Sequence, residues 1–395
     1  MGGTRKAAVW AAALGCVVLA AGCHSTGSTG TTGSSANSPS PSASASGAAA
    51  GWAAQPSALA GGGMTALIRA ARAEGRLNVI RLPGDWANYG AIMKAFTARY
   101  GIKITDQDPA GTSADEISAV RSEHGARAPD VLDLSAPYAV YAEGRNLLAP
   151  YEVRTWSDIP DTLKAASSTW YADYGGYVAI GYNPARVQLA PQSFRSLLSP
   201  VYRDEVAITG NPRKPTATGA LDAVWAAALA NGGSLSDIKP GLRYFRQLRR
   251  DGNLVRTAGS PASVASGRTP VLVWWDFLLA GEVRPQVPKL RIVIPPDARF
   301  ENFYYQAISK TAPHPAAARL WEEFLYSAQG QNLFLRGGAR PAELAAMVRD
   351  GTVDKTALAA LPAVPAAVPE QPTQQQTSTA QDLVVRRWPH HHHRH

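Results

Sequence analysis

Trp274-Trp275-Asp276 is the cluster with the most obvious binding chemistry in this chain of 395 residues. It directly follows the apolar run Val271–Val273, which reads as a strand. Neighbouring side chains of a strand point to opposite faces, so two adjacent indoles cannot both enter one core. One should pack inside while the other walls a cleft. An indole face beside a carboxylate suits an organic cation, through cation–π attraction and charge pairing. The plainer alternative places both tryptophans in the core and makes Asp276 a helix cap. Gly84-Asp85-Trp86 follows the first expected strand, so either Asp85 caps the next helix or Asp85 or Trp86 faces the cleft. Ser135 follows the third strand and offers a hydroxyl or a cap. Further on, Asn211 follows the strand Val206–Ile208, while Thr216 and Thr218 precede a helix. Hydroxyls and free amides at a helix start can hold an anion, although capping alone would explain Thr218.

Hydrolytic and nucleotide chemistry find little support. There is no G-x-S-x-G elbow, no H-E-x-x-H helix and no GxxxxGK[ST] loop. His124 and His314 sit in loop-like contexts. The net charge is +9, without a continuous basic stripe interleaved with aromatics, which argues against nucleic acid. No cofactor and no resident metal is expected. The terminal His390–His393 and His395 could chelate Zn²⁺ or Ni²⁺ loosely, remote from any cleft.

The elements that must position these residues alternate. Met64, Leu67, Ile68 and Ala71 fall on one helical face before the strand Leu77–Ile80. A helix with Tyr89, Ile92, Phe96 and Tyr100 on one side precedes the strand Ile102–Ile104, and Val131–Leu134 forms a third strand. After the extended run Tyr177–Tyr182 comes a second such set: Val206–Ile208, the Ala-rich helix Ala220–Ala230, a basic helix Leu242–Arg250 and Val271–Val273. A strand at Leu290–Ile294 and a helix opened by Pro315 follow. Short strands alternating with helices imply parallel sheets covered on both faces, an α/β fold.

The leader sets the compartment. Arg5 and Lys6 precede an apolar run from Ala7 to Ala21, about 15 residues and too short to span a bilayer. Leu19-Ala20-Ala21-Gly22-Cys23 then resembles the bacterial lipoprotein signal, with Cys23 acylated, although the leucine stands one place early. From Ala7 to Ile68 there is no Asp, Glu, Lys or Arg, and residues 24–63 are mostly Ser, Thr, Gly, Ala and Pro. Such a coil of about 40 residues spans roughly 35 Å, a tether rather than a domain. The two cysteines, Cys16 and Cys23, both lie in this leader, so the body must fold without a disulfide.

Several short stretches, in order, carry a wider likeness: Ala73-Glu74-Gly75, Asn146-Leu147-Leu148-Ala149-Pro150, Tyr202-Arg203-Asp204-Glu205-Val206-Ala207-Ile208 and Ser327-Ala328-Gln329-Gly330-Gln331. Together they resemble the type 2 periplasmic-type solute-binding proteins of ABC importers, nearest the branch of ferric-ion and polyamine receptors. The resemblance implies two α/β lobes, each a sheet covered by helices, joined by two crossing strands with solute held between. It implies handovers between lobes near Ile180–Asn183 and Lys289–Ile292. The expected plan is a lipoprotein signal peptide at 1–22, a flexible linker at 23–63 and lobe one at 64–181. Lobe two follows at 182–289, the return to lobe one at 290–347, and a disordered tail at 348–395. Ferric receptors place a tyrosine pair where this chain has Trp274-Trp275, and indole cannot ligate iron. Tyr304-Tyr305 lies elsewhere. Polyamine receptors keep a Trp near Trp274, but their further Trp and Asp correspond to Asn302 and Tyr304 here, leaving no carboxylate. The expected role is a lipid-anchored monomeric receptor outside the cell, not an enzyme. It would hand a small polar organic solute, of amine-bearing or polyamine-like character, to permease and ATPase subunits. The alternatives are an anion or ferric ligand in the same fold, or a sensor without transport.

Overall fold

The computed structural model describes residues 51–215, 217–364 and 372–389. Cys23, Thr216 and His390–His393 with His395 lie outside the described residues. No helix among the described residues is long and apolar enough to cross a membrane.

Among the described residues ten strands build the sheets: β1 Arg76–Ile80, β2 Lys103–Gln107, β3 Val131–Ser135, β4 Leu148–Ala149, β5 Tyr171–Tyr182, β6 Val206–Ile208, β7 Val271–Trp275, β8 Arg291–Val293, β9 Glu301–Ser309 and β10 Arg340–Pro341. β1 and β2 pair in parallel, and the remaining path runs β3-β9-β5-β7-β6. The expectation of parallel sheets therefore holds for β1/β2 and β6/β7 and fails for the centre, where β5 pairs antiparallel with β9 and β7. The cause is the crossing itself. The chain enters lobe two along β5 and returns along β9, so these strands must run in opposite directions.

β5 is buried along its whole length, as a strand central to both lobes must be. It pairs with β9 through Tyr177 and with β7 from Val178 onward, an earlier handover than expected. Gly175 and Gly176 stand at this crossing because there is no room for a side chain. A Cβ on Gly175 would meet the carbonyl of Asn302 at 2.5 Å, and one on Gly176 would collide with the Asp276 carboxylate and with Phe277.

Helices cover both lobes. Trp225, Trp321, Phe96, Phe194 and Phe245 are fully buried anchors, each contributing on the order of 2–3 kcal/mol of burial. The Glu74 carboxylate accepts from the amides of Ala316 and Ala317 (3.2 and 2.6 Å) at the start of the Pro315–Leu325 helix, tying the Met64–Glu74 helix to it.

Two segments expected to lack structure are ordered. Residues 51–63, assigned to the linker, pack on the body: Trp52 and Ala58 are buried, and Arg319 donates to the carbonyls of Ala53 and Gln55. A tryptophan inside a Ser/Gly/Ala coil supplies the apolar anchor that the average composition hides. The tail assigned as disordered from residue 348 carries helices at Lys355–Ala359 and Gln374–Arg387, and the helix Leu344–Asp350 runs into it.

Candidate functional site

A cavity of about 610 Å³ opens between the lobes, within the usual range for small-molecule sites. Lobe one contributes Arg81, the Thr112–Ser113 helix start, Ser135, Tyr138, Asn302 and Tyr304. Lobe two contributes Thr218, Leu221, Asp222, Trp225 and Trp275. The C-terminal helix adds Thr377, Ser378, Gln381 and Asp382.

Arg81 follows β1 directly, at the strand end where open α/β sheets gather ligands. Its φ of 58° is unusual for a residue with a side chain, and turns it off the strand axis. Its Nε donates to the Gly111 carbonyl (2.6 Å), and the guanidinium lies 5.4 Å from the Tyr304 ring centre and 5.7 Å from that of Trp86. Behind it is a buried acid cluster. The Tyr89 hydroxyl bridges Asp133 and Asp173 (3.0 and 2.9 Å), Gln306 donates to Asp173 (3.1 Å), and Glu116 accepts the Asp133 amide (2.8 Å). Burial raises all three carboxyls, Asp133 to about 7. Arg81 opposes that rise at Asp133, while the charge of Asp133 pushes Asp173 further up. Both carboxyls are thus held above their ordinary range, Asp173 the more so because the charge of Asp133 adds to its burial.

Asp222 has no such company among the described residues. It lies one turn into the Thr218–Ala230 helix as that helix's single charged residue, 7% exposed and in the cavity wall. Burial alone raises its carboxyl to about 8. A lone acid in TGALDAVWAAALA was the available sequence signal, overlooked because the helix reads as core. Arg81 was likewise passed over for Asp85 and Trp86.

The residues singled out from sequence separate into two groups. Trp275, Ser135, Thr218 and Tyr304 line the cavity; Trp274 instead lies against Gly219, on the other face of β7. Asp276 is a correction: it is 1% exposed and outside the cavity. Its Oδ1 accepts from the amides of Tyr177 and Phe277 (3.0 and 2.9 Å), and its Oδ2 lies 3.6 Å from Arg340 Nε. It belongs to the crossing because a residue one step past Trp275 points away from the cavity side. Trp86 packs behind the wall, edge-on to Tyr304 and donating to the Tyr174 hydroxyl (2.5 Å). Asp85 is exposed and does not line the cavity; burial, with added repulsion from Asp85, raises Glu282 to about 7. Asn211 lines a separate recess of about 200 Å³, where its carbonyl oxygen accepts the Arg213 amide (3.1 Å). Tyr304 faces the cavity while Tyr305 packs against Trp170 on the opposite side, so the two cannot share one ion.

Residues 126–362 match the family model described as bacterial extracellular solute-binding protein. Among solved structures, the chain is similar to the spermidine/putrescine ABC transporter substrate-binding protein PotD of Streptococcus pneumoniae. That match has 15% identity and a TM-score of 0.58, and covers 79% of this chain and 98% of that one. The periplasmic binding protein AfuA of Actinobacillus pleuropneumoniae, with fructose-6-phosphate bound, matches at 17% identity and a TM-score of 0.58, over 80% and 98%. The ferric binding protein of Campylobacter jejuni matches at 16% and 0.57, over 79% and 98%. With two lobes, a crossing strand pair and a cavity between them, this chain belongs to the bacterial extracellular solute-binding protein family and has the type 2 periplasmic-binding-protein fold.

Proposed function

We propose that this chain is a receptor tethered outside the cell by lipid at Cys23, which captures a small amine-bearing solute and delivers it, as a monomer, to an ABC-type permease driven by a separate ATPase. The observation that carries the ligand class is Asp222, a desolvated carboxyl in the cavity wall for which no hydrogen bond or ion pair is seen among the described residues. An ammonium brought beside it would restore the ionised form and supply the missing partner. Trp225 and Trp275 line the same cavity and suit the organic part of such a ligand. The pneumococcal relative, whose name specifies diamines and polyamines, agrees with this chemistry.

A second reading, an anionic solute, draws on Arg81 and the Thr112–Ser113 helix start in the opposite wall. The charges of the internal acid cluster already offset that of Arg81, which favours the amine. Thermal-shift screening of residues 24–395 against amines, amino acids, organic anions and Fe³⁺ separates the readings. An amine at 100 times its Kd should stabilise by about 2.7 kcal/mol, and Asp222→Asn should remove that shift. Stabilisation only by anions, retained in Asp222→Asn and lost in Arg81→Gln, would replace the first reading by the second. The tether has its own check: Cys23→Ser should abolish palmitate labelling and release the chain to the medium. Continued membrane retention would count against lipid anchoring.

A further inference from the structure

The helix Gln374–Arg387 is docked across the cleft rather than left in solvent. Ala380, Val384 and Trp388, spaced four residues apart, form one buried stripe. The Trp388 ring lies 5.6 Å from that of Phe245 in lobe two. Gln381 donates to the carbonyls of Pro212 and Arg213 (3.1 and 3.3 Å), Arg213 donates to the Val385 carbonyl (3.1 Å), and Gln376 donates to Ser236 Oγ (2.9 Å). All these partners belong to lobe two. The same helix packs beside the Ala136–Gly144 helix of lobe one, so it bridges the two lobes.

Several of its polar residues border the cavity, Ser378 and Asp382 at its solvent-exposed rim. Thr377, Ser378, Gln381 and Asp382 form part of the cavity wall. A helix serving only to cover apolar surface would set apolar side chains there. Here the apolar stripe grips lobe two, while Thr377, Ser378, Gln381 and Asp382 border the space a solute would fill, Gln381 being bonded to lobe two as well. A narrow apolar stripe and a few side-chain hydrogen bonds hold all 14 helical residues, a combination that favours local opening ahead of global unfolding.

We propose that the C-terminal helix is both the gate and a wall of the solute cavity: solute enters when the helix leaves lobe two, and the returned helix presents Ser378, Gln381 and Asp382 to it. The gate does not depend on which solute class the cavity accepts, so it can be tested without one. Both natural cysteines lie in the leader, so the full chain with Cys16→Ser and Cys23→Ser is free of thiols. Ser135→Cys in this background places a thiol in the cavity wall, and Ser118→Cys gives an exposed control. The measurement is the rate of reaction with a bulky maleimide, alone and combined with Trp388→Ala or with Val384→Lys, which puts a charge into the buried stripe. The thiol at position 135 should react at least tenfold more slowly than the control, and either undocking change should raise its rate at least tenfold. The control should not respond. Equal rates at positions 135 and 118 in the parent, or protection unchanged in both undocking variants, would overturn the gate.

Discussion

Asp222 illustrates how a single side chain can report on stability and binding at once. Its carboxyl rises to about 8 through burial, against an ordinary value of 3.8. Between those pH values the folded chain holds a proton that the unfolded chain has lost, so stability falls as pH rises through this interval. Asparagine has no such proton to lose. The stability gap between Asp222→Asn and the parent should therefore widen in favour of the variant from about pH 4 to about pH 8, by up to ~1.4 kcal/mol per unit, and then level off. Urea unfolding of both proteins across this range measures it directly. A gap independent of pH would mean that Asp222 is solvated in the native state. The other raised acids, Asp133, Asp173 and Glu116 among them, are common to both proteins and largely cancel in the comparison.

Elements were legible where one apolar face repeated. The strand Val206–Ile208 and the amphipathic helix ending at Arg250 follow from local pattern, and both appear in place. β5 was legible only in its second half, because Asp173, Gly175 and Gly176 interrupt the apolar run. Those residues have tertiary reasons: Asp173 belongs to the buried acid cluster, and the glycines allow β9 and Asp276 to approach. Gly176→Ala should accordingly cost about 1–3 kcal/mol, since its Cβ would collide with Asp276 and Phe277 at the crossing. A melting temperature within a degree of the parent would show that the crossing can yield. Site residues were harder to read than elements. Trp275 was identifiable as one of an adjacent pair, but choosing it over Trp274 required knowing which face of β7 meets the other lobe. The C-terminal helix was hidden by its Gln-rich composition, since its docking stripe is only three residues wide.

At the scale of the molecule, two lobes share one continuous strand, and the cavity lies where lobe one, lobe two and the C-terminal helix meet. Lobe one supplies a guanidinium whose charge internal acids offset, and lobe two supplies an acid for which no partner is seen among the described residues. A cationic solute between them would favour the closed arrangement by interacting with it more strongly than with the open one. Asp222 is then the group that must ionise for such a solute to bind. Calorimetric titration of residues 24–395 with putrescine, from pH 6 to pH 9, tests it most directly, because the diamine keeps its charge across most of that range. The affinity should rise about tenfold per pH unit up to about pH 8, level off above it, and be lost in Asp222→Asn. Binding of equal strength at every pH, or undiminished in Asp222→Asn, would contradict the account.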